Sequence, residues 1–142
     1  MTPEAESIER TAIRHLQSIY NTSGDRGRID ELIEVFAEDG VLEVPHGEHR
    51  GRAAISAFLK GVVTGSTGAV KPAGSRHHLT TSRIEFEGPD SALGWTYFFV
   101  SSQGVMSEEG LYVDKYRREG GQWRIAHRRV KMLWMAAASA PR

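Results

Sequence analysis

Apolar residues recur at helical spacing through the first part of the chain. One predicted stripe comprises Ile8, Ala12, Leu16, Ile19 and Tyr20. Thr2 is placed to cap this helix, and Pro3 suits its first position. The polar residues 21–24 predict its end, which leaves Asp25 in the connection that follows.

Two further helices and one short strand are predicted before residue 64. The second helix has Ile29, Leu32, Ile33 and Phe36 on its apolar face and ends at Asp39 and Gly40. Residues 41–44 predict a short strand, and residues 46–51 a turn region. The third helix is marked by Ile55, Phe58, Leu59 and Val62. A glycine-containing loop is expected over residues 64–75.

From residue 76 onward the pattern changes to strands. Four are predicted, over residues 76–87, 92–102, 105–118 and 122–135, and glycines stand in the connections. Short connections between long strands indicate an antiparallel meander. Three helices followed by such a sheet predict an α+β fold, with the helices on one face of a curved sheet. The 142 residues form one domain, whose tail at 136–142 is expected to fray.

Composition narrows the functional classes. Eighteen basic residues balance eighteen acidic ones, so the chain lacks the basic excess of a nucleic-acid binder. No cysteine is present, which excludes disulfides, thiolate metal sites and a cysteine nucleophile. No signal-peptide pattern or membrane-spanning apolar run is visible, and the expected location is the cytoplasm.

Three local motifs resemble those of the NTF2-like, or SnoaL-like, superfamily. They lie at residues 36–41, at residues 76–85, and at residues 112–118 running on to 121–125. Their order, together with the predicted elements, resembles the superfamily branch that contains scytalone dehydratase and hexachlorocyclohexane dehydrochlorinase. The resemblance covers nearly the whole chain and implies a cone-shaped fold.

The resemblance also implies a catalytic pair. In that branch a histidine on the first long strand is the general base, and an aspartate after the first helix orients it; these positions fall on His77 and Asp25. The chain departs from the pattern at Thr81, where the family often has asparagine. Residues 92–102 also lack the second histidine that scytalone dehydratase uses. These departures weigh against dehydration by that full set of residues.

The chemistry of such a pair is general-base catalysis. Histidine suits proton abstraction because its ordinary pKa is near ~6.5, and a carboxylate on one ring nitrogen fixes the tautomer. His77 and His78 are neighbours, so they face opposite sides of a regular strand. If side chains alternate regularly along the strand and Ile84 faces inward, His78 faces inward too. If Leu79 faces inward, His77 does so instead, and a bulge between these positions would reverse the alternation. Both orientations remain open, and the resemblance favours His77.

Other residues are candidates for contact with a substrate: Tyr20, Tyr97, Arg128, Trp134 and His78. Arg128 would stabilise a developing oxyanion, or else belong to a solvated basic run. The histidine spacings fit no familiar metal motif, and no glycine-rich phosphate loop is present, so we expect no metal and no cofactor.

The function expected from these features is that of a cofactor-independent lyase or isomerase. Its substrate would be a small hydrophobic molecule, aromatic or polycyclic, in a deep cavity. Two alternatives use the same fold without chemistry: the small subunit of a ring-hydroxylating dioxygenase, and a hydrophobic-ligand-binding module. The apolar open face of such a sheet also predicts a homodimer or homotrimer.

Overall fold

The computed structural model describes residues 1–65 and 74–137. Most of the predicted loop over residues 64–75, and the end of the predicted tail, lie outside the described residues. Three helices and six strands make up the described part.

Helix α1, Pro3–Asp25, starts as predicted and ends later than predicted. The Thr2 side chain accepts a hydrogen bond of 3.1 Å from the backbone N–H of Ala5. Its buried residues are Ile13, Leu16, Gln17, Tyr20, Asn21 and Ser23. Ile8 was wrongly placed in the buried stripe, since it is 69% exposed. The helix continues through residues 21–24 because Asn21 and Ser23 pack inward despite being polar, so Asp25 is its last residue.

The predicted second helix is helical only as far as Val35, and its end is replaced by a strand. Helix α2, Ile29–Leu32, is one turn long and continues as a 3-10 turn, Ile33–Val35. Strand β1, Phe36–Val44, then begins at a residue predicted to be helical. Phe36 pairs with Ile125 of the last strand, and this tertiary pairing overrides the local helical pattern. The register shifts between Phe36 and Val41.

The region predicted as a turn around His46 to Gly51 contains a short strand, β2, Gly47–Arg50. It forms an antiparallel hairpin with β1, which pairs Leu42 with His49. Helix α3, Arg52–Thr64, follows and ends at Gly65, whose φ of 78° is the left-handed conformation typical of a glycine helix end.

The four long strands form where the sequence predicts them. They are β3, Arg76–Gly88, β4, Ser91–Ser102, β5, Val105–Glu119, and β6, Gln122–Met135. The strand order in the single sheet is β2-β1-β6-β5-β4-β3. All neighbours are antiparallel except β1 and β6, which are parallel.

The predicted α+β fold, with three helices on a curved and unclosed sheet, is confirmed. Helix α1 lies against β3 and β6, and α3 against β1 and β2. The core between α1 and the sheet is rich in aromatic residues: Tyr20, Phe36, Phe98, Tyr112, Tyr116 and Trp123. Of the described helices, none combines the length and the hydropathy needed to span a membrane.

Candidate functional site

Asp25 and His77 are in direct contact. Asp25 is the last residue of α1, and His77 is the second residue of β3. Nδ1 of His77 lies 2.7 Å from Oδ1 of Asp25, and the backbone N–H of His77 donates to Oδ2 of the same carboxylate at 2.9 Å. One carboxylate therefore fixes both the ring and the main chain of His77.

The contact with Asp25 determines how the histidine ring can react. An ionised carboxylate only accepts hydrogen bonds, so the proton between the two groups belongs to Nδ1. In the neutral ring, Nε2 then has the free lone pair and is the nitrogen not engaged by Asp25. The His77 side chain is 27% exposed and that of Asp25 is 14% exposed. The pair is thus partly buried, and solvent reaches it.

An aromatic column extends from His77 into the core. The His77 ring lies 5.7 Å from that of Phe98, and Phe98 stacks on Tyr112 with ring centroids 4.4 Å apart. Tyr20 meets Tyr112 edge-on at 5.8 Å. These rings lie between α1 and the sheet, on the side where the sequence led us to expect a deep cavity.

Arg128 of β6 is wholly buried beside this column. It donates two hydrogen bonds of 2.9 Å to Asp114 of β5, its cross-strand partner. Its guanidinium carbon lies 4.3 Å from the ring centroid of Tyr20 and 3.9 Å from that of Tyr112. Burial acts to lower the pKa of Arg128, but Asp114 outweighs burial and holds the pKa well above its ordinary value.

Asp114 also organises a buried network of hydroxyl and amide groups. Tyr116 donates its hydroxyl proton to Oδ2 of Asp114 at 2.6 Å and accepts a bond of 2.8 Å from Nε2 of Gln17. Burial, and after it the charge of Asp114, raises the pKa of Tyr116 well above its ordinary value. Burial likewise raises the pKa of Tyr20 and Tyr112. All three tyrosines are therefore neutral hydroxyls at neutral pH.

A family model described as a SnoaL-like domain matches residues 5–129. The chain belongs to the SnoaL-like family. No curated protein matches this SnoaL-like domain.

Solved structures share the fold of this SnoaL-like domain. One, from Novosphingobium aromaticivorans and provisionally assigned as a scytalone dehydratase, is 21% identical with a TM-score of 0.81, over 95% of this chain and 91% of that one. A hexachlorocyclohexane dehydrochlorinase of Novosphingobium barchaimii is 18% identical with a TM-score of 0.79, over 95% and 93%. A Mycobacterium tuberculosis protein of unknown function is 27% identical with a TM-score of 0.80, over 98% and 80%.

A bulge in β3 decides which histidine of the SnoaL-like domain faces the core. Leu79 pairs with Phe98, and Ser82 pairs with Thr96, so two residues of β3 oppose one residue of β4. The extra residue switches the alternation, which places His77 on the same side as the buried Ile84. His78 is exposed, with Nε2 2.8 Å from the hydroxyl of Ser101.

The structure brings four of the predicted site residues together and separates three from them. Asp25 contacts His77 at one end of the aromatic column, Tyr20 belongs to the column, and Arg128 contacts Tyr20. The suggestion that His78, Tyr97 and Trp134 contact a substrate there is corrected, because they lie on the opposite face of the sheet. Tyr97 is 46% exposed and Trp134 is 49% exposed.

The reason for the misplaced aromatic residues is the composition of β4. Aromatic residues occupy both faces of this strand at positions 95–99, so hydrophobicity gives no alternation from which to choose the inner face. The structure buries Thr96 and Phe98 and turns Tyr97 outward. Trp134 pairs with Glu109, which pairs with Phe99, and directly paired residues share a face.

Sequence reasoning missed two residues that complete the site. Asp114 is not among the site residues predicted from the sequence; it is buried and paired with Arg128. The sequence did contain an indication of this position. Tyr112 and Tyr116 stand two residues before and after Asp114, so the three side chains share the inner face of β5. Asn21 was read as a helix terminator, but its Nδ2 donates to the Tyr112 hydroxyl at 3.0 Å.

A groove lies apart from this site. It has a volume of about 550 Å³ and runs between the α1–α2 connection and the end of α3, and none of the predicted site residues lines it. Within residues 1–65 and 74–137, no three histidine, aspartate or glutamate side chains converge so as to hold a metal ion.

Proposed function

We propose that this SnoaL-like domain is a cofactor-independent enzyme, a lyase or isomerase, in which His77 removes a proton from a small hydrophobic substrate. The observation that supports this most is the double contact of Asp25 with His77, at 2.7 Å to the ring and 2.9 Å to the main chain. It directs Nε2, the basic nitrogen, away from the carboxylate.

The proposed step is the transfer of a proton from carbon to Nε2 of His77. Asp25 stabilises the resulting imidazolium because its carboxylate already accepts the proton on Nδ1. The carbanionic electron pair then either expels a leaving group and forms a double bond, or shifts along the molecule, and His77 returns the proton to another carbon. In a cleavage of the retro-aldol type, His77 instead takes the proton of a hydroxyl group, the carbon–carbon bond breaks, and its electron pair passes to the carbon beside a carbonyl group. Tyr20 and Arg128 are the proposed substrate-binding groups for the oxygen or other electronegative atom that gains charge.

Similar structures support elimination as the first reaction to test. Two of them bear the names of a dehydratase and a dehydrochlorinase, and both names denote the removal of a small molecule across a bond. The aromatic column of Phe98, Tyr112 and Tyr20 supports an apolar substrate.

The test is the rate of proton removal from two compounds. Purified protein is incubated with acetophenone in deuterated water, where nuclear magnetic resonance follows exchange of the methyl protons, and with hexachlorocyclohexane, where chloride release is measured. We expect the wild-type chain to accelerate at least one reaction. His77→Gln and Asp25→Asn should each lower that rate by about 100-fold or more, because the base or its orientation is lost.

The matched control is His78→Gln, which changes the neighbouring exposed histidine and should keep the wild-type rate. Wild-type rates equal to those of buffer with both compounds would contradict the proposal and favour a binding module without chemistry. Full activity of His77→Gln would contradict the assignment of the base.

We also infer that a second copy of the chain covers the outer face of the sheet. The support is a set of large apolar side chains exposed on or beside that face: Tyr97, Val105, Met106, Leu133 and Trp134. Light scattering should give a mass that is two or three times 15.8 kDa. Trp134→Lys should shift the mass toward that of a monomer, and a wild-type monomer would contradict the inference.

A further inference from the structure

The buried amide of Gln17 joins helix α1 to the sheet through two hydrogen bonds. Gln17 is 1% exposed, and its Nε2 lies 3.1 Å from Oγ1 of Thr96 and 2.8 Å from the hydroxyl oxygen of Tyr116. An amide nitrogen carries two hydrogens and accepts none, so Gln17 donates to both oxygens. The hydroxyl oxygen of Tyr116 therefore accepts a hydrogen bond from the side of α1.

The other contact of the Tyr116 hydroxyl requires this direction. Its oxygen lies 2.6 Å from Oδ2 of Asp114, and two oxygens approach this closely when a hydrogen lies between them. An ionised carboxylate only accepts, so that hydrogen belongs to Tyr116. Because a tyrosine hydroxyl has a single hydrogen, none is left for Gln17, whose amide must turn its nitrogen toward Tyr116. The hydrogen bonds thus run in one direction, from Gln17 to Tyr116 and from Tyr116 to Asp114.

Asp114 links Tyr116 to Arg128. Its Oδ2 accepts from Tyr116 and from Nη2 of Arg128, and its Oδ1 accepts from Nε of Arg128, with both arginine bonds at 2.9 Å. The carboxylate of an aspartate rotates readily about its last torsion, and a guanidinium bound at two points turns with it. The bond from Tyr116 restrains that rotation, because it comes from a residue outside the pair.

A glycine makes room for the Tyr116 ring. Gly94 of β4 pairs with Asp114, and a Cβ atom at Gly94 would lie 2.7 Å from Cε2 of Tyr116. The ring, which is 1% exposed, therefore packs directly on the backbone of β4. Since β4 contacts its ring and Gln17 of α1 binds its hydroxyl, Tyr116 is restrained at both ends.

The position of the Arg128 side chain depends on these bonds. Its guanidinium carbon lies 3.9 Å from the ring centroid of Tyr112 and 4.3 Å from that of Tyr20. Such rings attract a cation over their faces out to about 6 Å from the centroid, whereas the two-point pair with Asp114 sets both the place and the tilt of the guanidinium plane. A rotation of the Asp114 carboxylate would therefore move Arg128 relative to both rings.

We propose that Gln17 and Tyr116 are positioning residues that hold Arg128 in place through Asp114. The inference rests on the proposed function in taking Arg128 as a substrate-binding group, and it adds two residues to the same site. A tyrosine that only filled space would lose its hydroxyl without any movement of Arg128, whereas loss of a positioning hydroxyl moves it.

The test is the position of Arg128 in Tyr116→Phe, observed by nuclear magnetic resonance in the full chain. The substitution removes one hydroxyl and keeps the ring. The Nε–H resonance of Arg128 should shift, because the rings of Tyr20 and Tyr112 lie against the guanidinium and their ring currents depend on its position. That proton should also exchange with water about tenfold faster, as the loss of one hydrogen bond implies. The exchange rate is taken relative to the backbone N–H of the buried Ile13, which corrects for a general loss of stability.

A second variant and a control accompany this measurement. Gln17→Met removes the donor at similar length and should shift the Arg128 resonance in the same direction. Tyr97→Phe is the matched control, because Tyr97 is 46% exposed, and it should leave that resonance unchanged. In the wild type, the Nε2 protons of Gln17 should show contacts with the ring protons of Tyr116, whether or not either variant folds.

Several results would overturn the proposal. They are an Arg128 resonance that is unchanged in Tyr116→Phe, an equal shift in Tyr97→Phe, and an absence of proton contacts between Gln17 and Tyr116 in the wild type. The proposed function fails separately, because the resonance reports the position of Arg128 even in a chain that removes no proton from either test compound.

The reaction gives a further readout where the wild type is active. Tyr116→Phe should then lower kcat by about tenfold and leave KM within about twofold, since Arg128 would act on charge that develops in the transition state. An unchanged kcat would contradict the role of Tyr116 in the reaction.

Discussion

Asp25 combines two tasks that proteins often divide between residues. Its Oδ1 orients the ring of His77, while its Oδ2 holds the backbone of the same residue. Among the described residues β3 is an edge strand of the sheet, and the His77 N–H bonds to the Asp25 carboxylate rather than to another strand. The resemblance to the family predicted this pair. The hydrogen bond to the backbone of His77 was not predicted, because it depends on where α1 ends, and the polar residues 21–24 had indicated an earlier end.

The buried Arg128 and its exposed neighbour Arg129 should respond very differently to the same substitution. Arg128→Met leaves the Asp114 carboxylate buried without its cation, which should lower the free energy of unfolding by about 3–5 kcal/mol. Arg129 is 54% exposed and pairs with Glu43 at 3.1 Å, so Arg129→Met should cost at most about 1 kcal/mol. Urea unfolding measures both, and similar losses would contradict the assignment of Arg128 to the core.

The position of the Phe98 ring depends on a glycine in the neighbouring strand. Gly110 of β5 lies opposite Phe98 of β4, and a Cβ atom at Gly110 would be 2.3 Å from Cζ of the Phe98 ring. Only glycine lets the ring lie flat across β5, where it reaches both Tyr112 and His77. The position of the ring beside the proposed base is therefore set by the missing side chain on the next strand.

Gly110→Ala should consequently disturb both stability and the site. We expect a loss of about 1–3 kcal/mol in the free energy of unfolding, as for other overpacked cores, and a shift in the His77 ring resonances. Gly88→Ala is the matched control: a Cβ atom added at Gly88 would have no atom of another described residue within 4 Å, apart from its chain neighbours, so stability should change by no more than about 0.5 kcal/mol. An unchanged unfolding curve for Gly110→Ala would mean that Phe98 does not occupy this position.

The elements also show where sequence patterns stop being informative. The four long strands were predicted with boundaries close to those observed, because hairpin turns and β-branched residues are local signals. The second half of β1 was predicted as the strand 41–44, but residues 36–40 were missed because the pairing of Phe36 with Ile125 is set by tertiary structure. The bulge in β3 was considered as one possibility, because Leu79 and Ile84 indicated opposite orientations for His77.

In the molecule as a whole, the two faces of the sheet differ in what they carry. The inner face holds the proposed base, the aromatic column and the buried Arg128–Asp114 pair, while the outer face presents the exposed Tyr97 and Trp134. The element order predicted that the helices cover one face of the sheet, and the family resemblance implied the pair of Asp25 and His77. The sequence could not assign individual aromatic residues to a face, because both faces of the sheet carry apolar residues.

The most direct test of the central claim is the tautomer of His77 in the nitrogen-15 spectrum of the labelled wild-type protein. At a pH where the ring is neutral, we predict the proton on Nδ1 and a free lone pair on Nε2, with this preference lost in Asp25→Asn. His78, whose ring does not contact Asp25, should be unaffected by the substitution and serves as the internal reference. A neutral His77 protonated on Nε2 in the wild type, or an unchanged spectrum in Asp25→Asn, would contradict the role of Asp25 in preparing the base.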